Sequence, residues 1–176
     1  MSLLNYIKKY TDFYLSNYSV TKKKFEDILK RKLKKDFFKK KITSETYELF
    51  LSQINEIVVY YNEIGLFNEN QMIKNKIEFC IKKGYSIKKI HDILTKNKFP
   101  KDLISSELEN LNENDILKED LIKKFISKKI KSSKFRASSL SKSQLFEKLL
   151  SLLIQNGFEY ENSKGALARY LSNEQF

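Results

Sequence analysis

Residues 86–108 read SIKKIHDILTKNKFPKDLISSEL. Ile90, Ile93 and Leu94 fall at steps of three and one, which puts them on one side of a helix. Ser86, just ahead of them, is a residue type that caps a helix start. The run breaks at Phe99-Pro100, and Pro100 fits the first turn of a second helix, where its missing N–H costs nothing. Leu103, Ile104, Leu108 and Leu111 continue the apolar pattern there. Each helix is too short to be stable alone in water, so the pair needs an apolar partner.

The partner is written in the same chain. Residues 145–167, LFEKLLSLLIQNGFEYENSKGAL, lie over 86–108 without a gap. Ile90 meets Leu149, Ile93 meets Leu152, Leu94 meets Leu153, Phe99 meets Phe158 and Leu108 meets Leu167. A weaker copy begins at Thr21, where Phe25, Ile28 and Leu29 take the places of Ile90, Ile93 and Leu94. Its helix runs on through further lysines, an insertion. The period of about 50–65 residues corresponds to a three-helix unit that buries its apolar face only by stacking on a neighbour. The expected fold is all-α, three tandem three-helix repeats in an elongated, curved helical stack. The copies are residues 1–65 (with the basic helix insertion), 66–112 and 113–176.

The remaining segments fit. Residues 3–18 and 21–41 carry helical stripes. Residues 44–64 read as one helix through Tyr47, Phe50, Leu51, Ile54, Ile57, Val58, Tyr61 and Ile64, stopped at Gly65. Asn68 with Gln71, and Ser141 with Gln144, look like capping pairs. Ile73, Ile77, Cys80 and Ile81 mark a helix ending at Gly84, and residues 115–131 another. The Ser-rich stretch 132–143 reads as a loop, followed by a strongly apolar helix to Gly157 and a last one through Leu171. That makes about nine helices and no convincing strand. One proline and four glycines agree with a helical chain. No apolar run is long enough to cross a membrane. A single cysteine fits a reducing compartment, so a cytoplasmic monomer is expected.

Charge is concentrated. The chain carries +12, yet residues 22–41 and residues 123–142 each sum to +8, so the remainder is net acidic. The first block holds Lys22, Lys23, Lys24, Lys30, Arg31, Lys34, Lys35, Lys39 and Lys40. The second holds Lys123, Lys124, Lys128, Lys129, Lys131, Lys134 and Arg136. Two such blocks point to a polyanionic or acidic partner, the alternative being a solvated surface. Lysine outnumbers arginine heavily, which suits phosphate or carboxylate better than guanine edges. Tyr10, Phe37 and Phe38 lie beside the first block, where rings can stack on bases, although core packing is their default role.

Catalytic constellations are not apparent. His91 is the sole histidine and Cys80 the sole thiol, too few for a metal set or a triad. His91 reads as a core-edge residue and Cys80 as a small buried hydrophobe. The glutamate pairs 107/109 and 159/161 diverge on a helix, and the glycines form no phosphate-cradling loop. No catalytic, metal-binding or cofactor-binding residue is assigned. Gly165 falls inside a helix without an evident reason.

The order of these elements resembles the RecX family of regulators of the RecA recombinase, over roughly residues 11–171. Tyr14-Leu15, Tyr18 and Thr21 are similar to that family's Tyr-Leu…Ser entry. The stretch from Glu63 to Glu69 (EIGLFNE) resembles its joint between copies one and two. Lys83-Gly84-Tyr85-Ser86 with Ile90 and Leu94 resembles the start of its second repeat's middle helix. Asn156-Gly157-Phe158-Glu159-Tyr160 resembles its closing Gly-Phe-Ser-Tyr element, and Phe135-Arg136 in a Ser-rich loop is similar to alphaproteobacterial members. The resemblance implies a non-enzymatic protein without cofactors. It implies binding to the RecA–DNA filament, limiting its growth, ATPase and strand exchange in recombination, repair and the SOS response. The alternative is a basic helical module that binds single- or double-stranded DNA directly.

Overall fold

The structure, a computed structural model, describes residues 2–132 and 140–173, and these are all-α: ten helices and no strand. They are α1 (Leu3–Asn17), α2 (Lys22–Phe38), α3 (Ser44–Ser52), α4 (Ile54–Glu63), α5 (Glu69–Lys82), α6 (Ile87–Lys96), α7 (Lys101–Asn112), α8 (Asp115–Ile130), α9 (Lys142–Gln155) and α10 (Tyr160–Asn173). Among the described residues no helix is long and apolar enough to cross a membrane. Most of the Ser-rich stretch expected to be a loop, including Lys134 and Arg136, lies outside the described residues. The chain divides into two compact units, Met1–Met72 with Asn97–Phe99, and Ile73–Lys96 with Pro100–Phe176.

The first unit is built on α2. Its stripe Phe25, Ile28, Leu29 and Leu33 is buried, together with Leu3 and Ile7 of α1 and Phe50, Ile54, Ile57 and Tyr61 of α3 and α4. The helix expected over 44–64 is interrupted at Gln53. Its N–H bonds Phe50 O, three residues back, at 3.2 Å, and its side-chain Oε1 accepts the N–H of Leu3 at the start of α1. Buried positions 50, 54, 57 and 61 keep helical steps across the break, so periodicity alone does not reveal it. Asp36 is buried on α2; it accepts a hydrogen bond from the Tyr6 hydroxyl at 3.0 Å and pairs with Lys32.

The second unit packs α8, α9 and α10 around Leu121, Ile122, Ile126, Leu149, Leu153, Leu167 and Leu171. The capping expectations hold: Ser141 and Gln144 form a reciprocal capping box, Asn68 accepts from Gln71 N, and Ser86 accepts from Lys89 N. Pro100 sits one residue earlier than expected, at the N-cap of α7.

One local pattern occurs in both units. In the first, the Thr21 hydroxyl donates to Asn97 O at 2.9 Å, Lys98 takes a φ of +63°, and Phe99 is buried. In the second, the Ser86 hydroxyl donates to Asn156 O at 2.6 Å, Gly157 takes a φ of +83°, and Phe158 is buried. Thr21 and Ser86 are both helix N-caps. Each Asn, αL residue and Phe comes directly after or at the end of a helix whose inner stripe is buried. A Cβ on Gly157 would stand 3.1 Å from Ser86 Oγ and 3.2 Å from Lys88 Cβ, so a side chain there would crowd this crossing.

Candidate polyanion-binding surface

The second unit has a lysine-walled depression of about 730 Å³. Lys82 and Lys83 at the end of α5 face Lys123, Lys124, Lys128 and Lys131 of α8 across it, with Ser127, Ser132 and Tyr170 completing the lining. Among the described residues no carboxylate lines it. On α8, positions 124, 128 and 131 are four and three residues apart, and 123 and 127 follow the adjacent row. Leu121, Ile122, Phe125 and Ile126 bury the opposite face, so the apolar anchoring of the helix turns the lysines outward.

Gly84 brings the two lysine sets together. The α5 helix ends with Gly84 N–H bonded to Ile81 O and Tyr85 N–H to Cys80 O, with Gly84 at a φ of +69°. A Cβ there would stand 3.1 Å from Lys124 Cβ and 3.3 Å from the Phe125 backbone nitrogen. The missing side chain therefore lets the turn press on α8 and sets Lys82 and Lys83 beside Lys123 and Lys124.

The lysines differ in availability. Lys82 pairs with Glu78 at 2.5 Å and Lys123 with Glu119 at 3.0 Å. Glu119 also meets Arg169 at 3.1 Å, and the Lys123 hydrogen bond holds its carboxyl below the usual range. Lys83 lies 5.4 Å from the Phe79 ring centroid. Among the described residues no carboxylate comes within ion-pair distance of Lys83, Lys124, Lys128 or Lys131. Like charges gathered this closely repel, and an anion relieves that repulsion. Lys129, assigned to the same block, lies over the Phe125 ring at 5.2 Å and does not line the depression.

The first basic block lies along α2 and is partly neutralised. Lys23 and Lys30 both hold Glu26, at 2.7 and 2.5 Å. Lys22 pairs with Glu69, and Lys24 donates to Asn97 Oδ1. Arg31, Lys34, Lys35, Lys39 and Lys40 are exposed, with no carboxylate partner among the described residues. Lys82 and Lys83 were not assigned to a basic block from the sequence: two lysines near Glu78 carry little local charge signal, and only the packing of α5 on α8 joins them to the second block.

A larger cleft of about 800 Å³ in the same unit has an apolar floor of Leu108, Leu121, Ile122 and Phe158. His91, Asp102, Glu109 and Lys118 on its walls mix both signs of charge. His91 was expected at the core edge, but its side chain is more than half exposed. Cys80 is buried, and burial pushes its thiol pKa up, as expected of a packing residue. Among the described residues no group of three His, Cys, Asp or Glu side chains could hold a metal ion. Comparison with protein-family models, with curated proteins and with solved structures finds no match to this chain.

Proposed function

We propose that this protein is a non-catalytic regulator that docks on a recombinase–DNA filament through its basic surfaces and restrains filament growth, ATPase and strand exchange. The observation that carries the reading is the six-lysine depression, free of lining carboxylates among the described residues, built at a turn that Gly84 allows to close on α8. Lysine ammonium groups without fixed partners favour phosphate or carboxylate without selecting a base sequence. The resemblance of the chain to the RecX family names the partner, RecA. The recurrence of the Thr21–Asn97 contact as Ser86–Asn156 favours a repeated three-helix unit. Such a protein needs neither cofactor nor membrane.

The test is the DNA-dependent ATPase of a RecA recombinase titrated with the purified protein. Inhibition that saturates with filament protomers supports the proposal; an unchanged rate at stoichiometric excess refutes it. A second reading, direct DNA binding without the recombinase, is favoured by the same lysines, since phosphates in a duplex meet their chemistry equally well. Equal affinity for naked DNA and for filaments selects that reading.

A further inference from the structure

Four of the six lysines that wall the depression, Lys83, Lys124, Lys128 and Lys131, have no carboxylate at ion-pair distance among the described residues. The other two are held by carboxylates outside the lining, Lys82 by Glu78 and Lys123 by Glu119. Helix dipoles account for part of the cluster. Lys82 and Lys128 stand in the last turns of α5 and α8, where a cation complements the carbonyl end. Lys123 and Lys124 stand in the middle of α8, beyond the reach of that effect. Solvation alone would keep such charges apart. The close approach at Gly84 instead brings Lys82 and Lys83 to them.

The cluster is short and concave. Lys124 to Lys131 covers two turns of α8, roughly 10 Å of axis. Lys82 and Lys83 face that row across a hollow of about 730 Å³. A nucleic-acid duplex is too wide to enter such a hollow, and a sugar separates each of its phosphate charges from the next. An acidic peptide carries its carboxylates singly, on separate stems. In a condensed phosphate neighbouring units share an oxygen, so every unit brings a charge and each free end a second one. Such a chain enters the hollow and meets both walls at once. Lysine ammonium groups, compact and rotatable, follow it without demanding one planar geometry. Ser127 adds a hydroxyl to the lining, and Tyr170 of α10 adds a ring.

We infer that the lysine depression binds a condensed phosphate chain such as a triphosphate, either free or as the tail of a nucleotide. Filled in this way, the depression has few ammonium groups left for the phosphates of a filament, so the ligand opposes docking. The inference rests on the polyanion reading of the depression given above and names a small ligand of that same site.

The experiment is isothermal titration calorimetry of the full chain with tripolyphosphate, ATP, orthophosphate and citrate in magnesium-free buffer. Tripolyphosphate binds saturably, at least about tenfold tighter than orthophosphate or citrate, and raises the melting temperature. Replacing Lys83, Lys124 and Lys128 with Gln weakens it by roughly tenfold per lysine and abolishes the thermal shift. Lys34→Gln with Lys35→Gln, on α2, leaves it unchanged. Excess magnesium, which takes up phosphate charge, weakens binding of ATP. The two sources separate on the adenosine: ATP tighter than tripolyphosphate, with the excess lost in Tyr170→Leu and kept in Tyr170→Phe, assigns a nucleotide, and ATP equal or weaker assigns free polyphosphate. No saturable binding of tripolyphosphate, citrate as tight as tripolyphosphate, or the triple variant at wild-type affinity overturns the inference. The titration contains neither DNA nor recombinase. A recombinase ATPase that ignores the protein therefore leaves its result standing, and failure of tripolyphosphate to bind leaves the filament reading standing.

Discussion

Lys98 holds a φ of +63° at the position that the gapless alignment gives to Gly157, which holds +83°. The two residues do the same job, ending a helix ahead of a buried phenylalanine, with different side chains. For a residue with a Cβ the left-handed conformation costs about 1–2 kcal/mol, partly offset by the greater entropy that glycine loses on folding. Lys98→Gly should therefore raise stability by about 0.5–1 kcal/mol. Its ion pair with Asp27, 3.8 Å long and half exposed, contributes too little to cancel the gain. Gly157→Ala should do the reverse, by about 1–3 kcal/mol, since the new Cβ also meets Ser86 and Lys88. Chemical denaturation of the two variants checks both signs.

Ser163 is fully buried on α10, and its hydroxyl has no hydrogen-bond partner among the described residues. The residue that the gapless alignment of the sequence sets against it is Ile104, also buried. Removing an unsatisfied buried hydroxyl recovers about 1 kcal/mol or more. Ser163→Ala should melt roughly 2–4 °C higher than wild type. A lower melting temperature would mean that the hydroxyl has a partner after all.

Hydrogen bonds from Lys23, then Lys30, hold the Glu26 carboxyl below the usual range. A carboxyl whose pKa is lower in the folded than in the unfolded chain stabilises the fold above its unfolded value. That contribution is lost as pH falls through the folded value. Stability should therefore drop on acidification below about pH 5, and Glu26→Gln should remove part of that dependence while leaving its basic limb unchanged. Unfolding midpoints measured across an acid series in wild type and variant read the difference.

The lysine depression makes separable predictions for binding and for folding. Replacing Lys83, Lys124 and Lys128 with Gln should lower the salt slope of polyanion binding by roughly 2–3 and leave the melting temperature nearly unchanged. Gly84→Ala should instead cost about 1–3 kcal/mol of stability, because the turn must leave α8, and should weaken binding by parting Lys82 and Lys83 from Lys124. A gel shift across salt and a thermal melt on both variants separate the two effects.

Much of this architecture was legible in the residues, and the misses have physical causes. Stripes such as Phe25-Ile28-Leu29-Leu33 announced buried faces because burial imposes the helical period directly. The break at Gln53 stayed hidden because the buried positions keep their steps through it. Block counting found Lys123, Lys124, Lys128 and Lys131, but Lys82 and Lys83 join them through the tight approach at Gly84, a tertiary fact. Counting also overstated Lys30, which shares Glu26 with Lys23, one helical turn to either side of it. Gly165 has ordinary room for a side chain, the nearest neighbour of an added Cβ being Arg169 Nη1 at 3.5 Å, so the fold does not require glycine there.

The central claim is that the basic surfaces dock the protein on a recombinase–DNA filament. Co-sedimentation with preformed RecA filaments tests it most directly, run beside equal DNA without recombinase. The account predicts saturable binding to filaments, stronger than to naked DNA and sharply reduced by the Lys83, Lys124 and Lys128 replacements. Protein left in the supernatant with filaments, or triple-variant binding equal to wild type, would contradict it.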